Sequence, residues 1–354
     1  MVDTPVTIRP YRQGDEKAIN NLFNHVFHKS RTPEEWNWKF RDNPAGKDPE
    51  GWIVVAERNG MIIGQYASLA TELMYGNRMV TSAQPVDTMI DPSAKAGINL
   101  IGKLCDLHAK YLNGIALFGF GFPNEAAYMV GKRFLGYKDL GEMVQLFKRL
   151  SLRNALKRNI AWCPDWIINL FHHLSKTFYR FEIFMRRLDK GTVVKAVDAF
   201  DERIDTFWNS IKERYKIMTA RNMSYLNWRY RDKRYRIFIK EDGDEVTGYA
   251  VARIENYKDV RIGYIMDIFC RNDKIAPLAA SCLKFFIKQG VDYVLCGLLR
   301  QDPLSIHLKR IGFREHQDIR PIRVVVTPLT GEIDMEYLLN QKNWHLTYGD
   351  TDGF

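Results

Sequence analysis

Apolar and polar residues alternate through Val6-Thr7-Ile8-Arg9-Pro10-Tyr11, the period-two pattern of a strand with one buried face. The period then changes. Ile19, Leu22, Phe23 and Val26 recur at helical spacing after Gly14-Asp15-Glu16, which predicts a first helix. Thr32-Pro33-Glu34-Glu35 opens a second helix: Thr32 stands as N-cap, Pro33 at the first helical position and Glu35 where a capping box needs it. Trp52–Arg58 and Met61–Tyr75 are strand-like runs joined by Asn59-Gly60, a dipeptide suited to a two-residue hairpin turn. Met79–Ile90 predicts another strand, interrupted by Pro85. Pro92–Gly97 then leads into a helical run over Ile98–Leu112, an apolar strand over Gly114–Phe120, and a helix that closes on Lys132-Arg133-Phe134-Leu135-Gly136-Tyr137.

That order returns. Asn37-Trp38-Lys39-Phe40-Arg41-Asp42 reappears as Asn227-Trp228-Arg229-Tyr230-Arg231-Asp232, an offset of 190 (227 against 37). Gly64 matches Gly248 at an offset of 184, and Gly136 matches Gly312 at 176. Three matches in order with a slowly shrinking offset predict two copies of one domain, the second slightly shorter. In each, the expected order is strand, two helices, three strands, helix, strand, helix, strand. The predicted boundaries are 1–150 for the first copy, 151–190 for a linker, 191–330 for the second copy and 331–354 for a C-terminal helix and tail. In the linker, Trp166, Ile167, Leu170, Phe171, Leu174, Phe178, Phe181 and Met185 form a helical apolar stripe. This stripe either packs on a domain or, over 164–187, docks on a membrane surface or partner. In the tail, Asp350 and Asp352 are expected either to meet a basic group or to fold back over the surface.

Composition narrows the class. The chain has 354 residues, 46% of them hydrophobic, enough for two cores. No uncharged apolar stretch approaches the ~18 residues that span a bilayer, and the first residues lack the pattern of a secretory leader. Five cysteines at irregular spacing, none in a CxxC pair, predict a reduced, cytoplasmic chain without a zinc site. A net charge of +10 favours anionic partners such as phosphorylated cofactors. No stacking-aromatic and Lys/Arg groove pattern calls for nucleic acid.

The element order, the repeated hexad, the Phe122-Pro123-Asn124 turn and the closing -[KR]-x-G-[FY] resemble the GNAT superfamily of acyl-CoA-dependent N-acyltransferases. The resemblance covers roughly residues 5–150 and 192–330. It implies an α/β architecture with a mixed sheet: two tandem GNAT-like folds joined by the helical linker, with copy one active. The function it implies is transfer of an acyl group from acetyl-CoA or another acyl-CoA to an amine of a small molecule or sugar. In this family two parallel strands splay apart, the cofactor's pantetheine pairs with the freed backbone, and its diphosphate sits on amides at the next helix's N-terminus.

Carried onto this chain, Pro85 marks the bulged cofactor strand, since proline cannot donate to a ladder. Lys95, Ala96, Gly97 and Ile98 are the expected diphosphate cradle, though Ala94 and Asn99 depart from the family's [QR]-x-x-G-x-[GA] pattern. The second copy has no glycine in Cys270–Ser281, so it is expected to have lost this site. Asn124 is expected to contact the cofactor, to cap the following helix, or both. Backbone amides near Met89 would polarise the thioester carbonyl.

Asp87, just after Pro85, is either the base that accepts the amine's proton, directly or through water, or a structural carboxylate. The family's acid, a tyrosine four residues before the closing glycine, is replaced by Lys132 and Leu308. Tyr128, one helical turn earlier, either substitutes as acid or is a core tyrosine. The repeated hexad is read as structural because it recurs in the copy expected to be inactive. Two rival functions stand beside this one: a tandem fold that binds a ligand or partner without catalysis, and a ligase of the Fem type that uses aminoacyl-tRNA.

Overall fold

The computed structural model describes residues 5–94, 98–151, 193–316, 319–331 and 333–353. The expected linker helix, with its stripe from Trp166 to Met185, and the expected cradle residues Lys95, Ala96 and Gly97 lie outside the described residues. The first half runs β1 (Thr7–Pro10), α1 (Glu16–Phe27), α2 (Pro33–Phe40), β2 (Ile53–Arg58), β3 (Met61–Tyr75), β4 (Arg78–Ile90), α3 (Ile98–Leu112), β5 (Phe118–Gly121), α4 (Glu125–Phe134) and β6 (Lys138–Arg149). The second half runs β7 (Val193–Val197), α5 (Arg203–Ile211), β8 (Ile217–Thr219), α6 (Met223–Arg229), β9 (Tyr235–Asp242), β10 (Glu245–Tyr257), β11 (Val260–Cys270), α7 (Ala276–Lys288), β12 (Tyr293–Leu299), α8 (Leu304–Arg310), β13 (Arg314–Glu315) and β14 (Ile322–Pro328). Helix α9 (Met335–Leu339) and β15 (Trp344–His345) follow. Apart from β8 and β13, the two halves carry the same element order.

Local chemistry explains many boundaries. Thr32 accepts from the Glu35 amide while the Glu35 side chain accepts from the Thr32 amide, closing the capping box of α2. Asn59 and Gly60 both have positive φ, the conformation a tight hairpin turn demands. Gly136 and Gly312 are left-handed just past α4 and α8, as glycine at a helix end permits. The strand expected over Gly114–Phe120 is shorter and later, Phe118–Gly121.

The chain divides into two compact units, neither contiguous in sequence. The first is Met1–Gly141, Tyr215–Ala220 and Arg323–Asn343; the second is Glu142–Arg214, Arg221–Ile322 and Trp344–Phe354. In the first unit the strand order is β1-β2-β3-β4-β5-β14. Strand β14 closes it, antiparallel to β5 from Val325↔Gly121 to Pro328↔Phe118. Strand β8 pairs the far end of β3, where β2 has already stopped. In the second unit the order is β6-β12-β11-β10-β9-β7, with β6 antiparallel to β12 from Tyr293↔Arg149 to Leu299↔Met143. Each unit therefore takes its closing strand from the other half of the sequence.

The first sheet is covered on both faces. Ile53 and Val55 join Tyr11, Ile19, Trp36 and Phe40 in one apolar cluster, beside α1 and α2. Val54 and Ala56 join Tyr66, Leu100, Leu104 and Cys105 in another, beside α3. Alternate residues of one strand point to opposite faces, so a strand buried on both reads as an unbroken apolar run.

Candidate active site

In the first unit β4 and β5 run parallel and share a single register pair, Ala83↔Gly119. The Leu117 amide adds one bond to Thr81 O at 2.9 Å. Beyond Ala83, β4 continues for seven residues to Ile90, paired with β3 on one side as far as Gly64↔Ile90. Among the described residues no strand lines its other edge there. Proline accounts for the parting. Pro85 offers no N–H to a neighbour, and its Cδ lies 3.6 Å from where a Cβ on Gly121 would sit. Just past Gly121 the chain turns away through Phe122-Pro123. The register on β3 slips between Gln65↔Met89 and Ala67↔Val86, so the bulge holds Asp87 and Thr88, two residues after the proline. Asp87 has φ +50°, a conformation non-glycine residues adopt at some cost.

Asp87 is held by two cations. Lys39 Nζ lies 2.8 Å from its Oδ1, and Arg31 Nη1 donates to its Oδ2. The side chains of Arg31 and Asp87 are only 8% and 6% exposed. Burial alone would raise the Asp87 pKa, but Lys39 and Arg31 outweigh it and hold the carboxyl below its ordinary value. Arg31 is itself fixed. Its Nε donates to Asn20 Oδ1 at 2.6 Å, its guanidinium lies 3.7 Å from the Phe23 ring centroid, and Asn20 and Asn24 bind its backbone. Its Nη2 is buried with no hydrogen-bond partner among the described residues.

The remaining expected site residues sit on α3 and α4. Ile98 is the first described residue of α3. Met89 is buried in the core cluster under α1 and α2, so its backbone rather than its side chain is what it can offer a ligand. Asn124 caps α4, Oδ1 accepting from the Ala127 amide at 2.9 Å. It is exposed, and its side-chain NH2 meets no protein acceptor among the described residues. Tyr128 is half-buried on α4. Its hydroxyl donates to Asp139 Oδ2 at 3.2 Å, the atom that Lys132 Nζ also reaches at 2.8 Å. Arg323 of β14 lies 3.8 Å from the Tyr128 ring centroid.

Residues 7–129 match the family described as acetyltransferase (GNAT) domain. The match covers about a third of the chain, within its first half. No curated protein sequence matches the chain. Solved structures share the fold at low identity. A GCN5-related N-acetyltransferase from Anabaena variabilis ATCC 29413 has a TM-score of 0.65 at 13% identity, over 92% of this chain and 73% of that one. A GCN5-related N-acetyltransferase from Kribbella flavida has a TM-score of 0.62 at 13% identity, over 92% and 71%. A conserved protein of unknown function from Enterococcus faecalis V583, described as a probable N-acyltransferase, has a TM-score of 0.64 at 11% identity, over 92% and 73%. The GNAT match spans α1, α2, the opening beside β4, Asp87, Asn124 and Tyr128.

Beyond the GNAT match, the second unit builds its opening differently. Strands β11 and β12 pair over four residues, Ile262↔Tyr293 to Ile265↔Cys296, and a bulge at Met266 precedes Asp267. The C-terminal segment enters there. Thr347 bridges Leu298, and the Tyr348 ring packs against Gly297 and Tyr264. Of the two expectations for the tail, Asp350 does meet a basic group, Arg221, whose Nη2 donates to its Oδ2 at 2.8 Å, while a course over the surface does not hold for Trp344, Leu346 and Tyr348, which are core residues of the second unit. Sequence reading missed Arg31 altogether and treated Lys39 only as part of a structural hexad. The offset of 190 held a signal, because it places Arg31 opposite Arg221 and Lys39 opposite Arg229.

Proposed function

We propose that the protein is an N-acyltransferase that uses acetyl-CoA or a longer acyl-CoA, with the reaction carried by the first unit. The observation that carries this reading is the edge of β4 from Pro85 to Ile90, unlined among the described residues and within the stretch that matches the GNAT family. A strand edge without a neighbour exposes amides and carbonyls to which the amides of a pantetheine arm can pair, as an added strand would. The Asn124 NH2 is a donor for that arm. The start of α3 at Ile98, which Lys95, Ala96 and Gly97 precede in sequence, would take the diphosphate, because the first amides of a helix lack partners and carry its positive end.

In the reaction, the acceptor nitrogen attacks the thioester carbonyl, its oxygen stabilised by backbone amides near Met89. A C–N bond forms, the C–S bond breaks, and the leaving thiolate takes a proton from Tyr128. The nitrogen's proton passes to water and onward to the Tyr128 phenolate. Asp87 has both oxygens engaged and a depressed proton affinity, so we assign it to holding Arg31 and Lys39 beside the bulge rather than to taking the proton itself. We also propose that the chain is a tandem repeat of one fold, and that the enzyme is cytoplasmic, a compartment compatible with its free, buried Cys105, Cys270, Cys282 and Cys296.

The test is binding, then turnover. At about 100 times its Kd an acyl-CoA should add about 2.7 kcal/mol of stability and raise the melting temperature. Thiol release in the presence of an amine panel should fall roughly a hundredfold in kcat for Tyr128→Phe, the range for losing a general acid. No melting shift with acetyl-CoA or longer acyl-CoAs, together with no thiol release, refutes the reading. A melting shift without thiol release would favour a non-catalytic binding fold.

A further inference from the structure

Helix α4 carries Glu125, Tyr128 and Lys132 at spacings of three and four, so all three lie along one face. Two residues from other elements meet that face. Asp139 of β6 accepts from the Tyr128 hydroxyl at 3.2 Å and from Lys132 Nζ at 2.8 Å, both on Oδ2. Arg323 of β14 sets its guanidinium 3.8 Å from the Tyr128 ring centroid, and its Nη1 lies 3.4 Å from Glu125 Oε2. The tyrosine is thus held at both ends, its ring by Arg323 and its hydroxyl by Asp139.

Strand pairing puts Arg323 there. Strand β14 runs antiparallel to β5, and their last pair toward the α4 end is Val325↔Gly121. At Gly121 β5 ends, and the chain turns through Phe122-Pro123 to the Asn124 cap of α4. Arg323 stands two residues beyond that pair, beside the start of the helix. Val324, Val325, Val326 and Thr327, which follow it, are buried, so the arginine projects from a fixed strand rather than a loop. It lies outside residues 7–129, the stretch that matches the GNAT family.

The charges decide what this group can do. Arg323 and Lys132 face Glu125 and Asp139, two cations against two carboxylates. Both cations are 37% exposed and the carboxylates 76% and 51%, so solvent screens all four. They leave little net field on the phenol, and what they supply is orientation. A guanidinium against an aromatic face stacks as well as attracts, which a compact ammonium does not. Asp139 stays charged: burial would raise its pKa, but hydrogen bonds from Lys132 and Tyr128 outweigh burial and hold it below its ordinary value. Because Lys132 shares Oδ2, the hydroxyl can turn about its C–O bond without leaving Asp139 unpaired.

We propose that Arg323 is a positioning residue for Tyr128: it fixes the ring so that rotation of the O–H alone carries the proton from Asp139 to the leaving sulfur, and the first unit's chemistry is incomplete without β14. This rests on the N-acyltransferase reading with Tyr128 as the acid, and adds the residue through which the second half of the sequence takes part. In that step the C–S bond breaks, the sulfur takes the phenol proton, and the phenolate regains one from the acceptor nitrogen through water. Misplacing a reacting group by about 1 Å costs on the order of a hundredfold, so a loosened ring is read directly in turnover.

The experiment uses the full chain, the acyl-CoA that gives the largest melting shift and the amine that gives the fastest thiol release. Arg323→Gln should lower kcat by about tenfold or more, while KM for the acyl-CoA and the melting shift it causes stay in place. In the Tyr128→Phe background the ring remains and the hydroxyl is gone, so Arg323→Gln should lower kcat no further. A residue that only stabilises the fold would act equally in both backgrounds. Arg323→Lys keeps the charge and loses the planar stack. It serves the same cycle if Arg323→Gln fails to fold, with an expected loss of about threefold or more. An unchanged kcat, a loss confined to KM, or equal losses in the two backgrounds overturns the proposal and leaves the acyltransferase reading standing. Thiol release that Tyr128→Phe does not reduce overturns the acid assignment and this proposal together. No thiol release from the wild type with any acyl-CoA and amine removes the acyltransferase reading, and the proposal falls with it.

Discussion

The seat of the C-terminal segment in the second unit can be measured by a pair of substitutions. A Cβ on Gly297 of β12 would lie 2.5 Å from Tyr348 Cε1 and 2.8 Å from Cδ1 and Cζ, closer than real Cβ atoms come to anything. Gly297→Ala must therefore displace the ring, an overpacking that costs about 1–3 kcal/mol. The Tyr348 side chain is 1% exposed and its hydroxyl donates to Gln145 Oε1 at 2.9 Å. Tyr348→Ala should cost about 3–5 kcal/mol, as for other large aromatic truncations, because the space closes only in part. That is a melting decrease of roughly 6–20 °C for a unit of this size. In the Tyr348→Ala background the clash is gone, so adding Gly297→Ala should cost almost nothing. The coupling energy is then about 1–3 kcal/mol, measured by urea unfolding followed by tryptophan fluorescence, for which the buried Trp344 of the same segment is a local reporter. If the two effects simply add, Tyr348 does not sit against Gly297 and the C-terminal segment is seated elsewhere.

Two further outcomes concern protons in the first unit. Burial lowers the pKa of His108 from 6.5 to about 4, although the Trp52 carbonyl 3.2 Å away opposes it. The unfolded chain then takes a proton before the folded one does, so stability should fall by about 3 kcal/mol as pH drops from 6.5 to 4. His108→Gln should flatten that part of a urea-midpoint-against-pH curve, and an unchanged slope would show that another group causes it. The Asp87 carboxyl titrates below its ordinary 3.8 when folded, so its contribution is present above that pH and lost as pH falls through the folded pKa. The stability gap between wild type and Asp87→Asn should be widest near neutrality and close under acid, whereas Asp87→Ala should cost about 3–5 kcal/mol at pH 7 by leaving Arg31 without its buried partner. A gap that stays constant down to pH 2 would place the Asp87 contribution outside charge pairing.

Much of the element order was legible because it rests on neighbours in sequence. The Thr32–Glu35 box, the Asn59-Gly60 turn, the Asn124 cap and the left-handed Gly136 and Gly312 each depend on residues within one or two turns of chain. The bulge was legible only approximately. Pro85 announced it, but the register slip falls at Asp87 and Thr88, opposite Tyr66 on the neighbouring strand, and cross-strand register is not written in local spacing. The site was legible in part. Asp87, Asn124 and Tyr128 stand out by position, yet Arg31 gave no local signal: it is an arginine before a helix cap until a carboxylate 56 positions away is packed against it.

The sequence by itself determined the periodicities, the caps and turns, the repeated element order and the GNAT resemblance, all of which are written in short-range spacing. Only the tertiary structure decided which strand closes each sheet. Strands β6 and β14 are equally good antiparallel edges by pattern, and nothing local says that each pairs in the unit built mainly from the other half of the chain. Tertiary packing also decided which charges are buried and with whom. The cost of removing an ion from water depends on everything brought around it, and Asp87 beside Arg31, or Asp350 beside Arg221, becomes a strong pair only once distant segments have excluded the solvent.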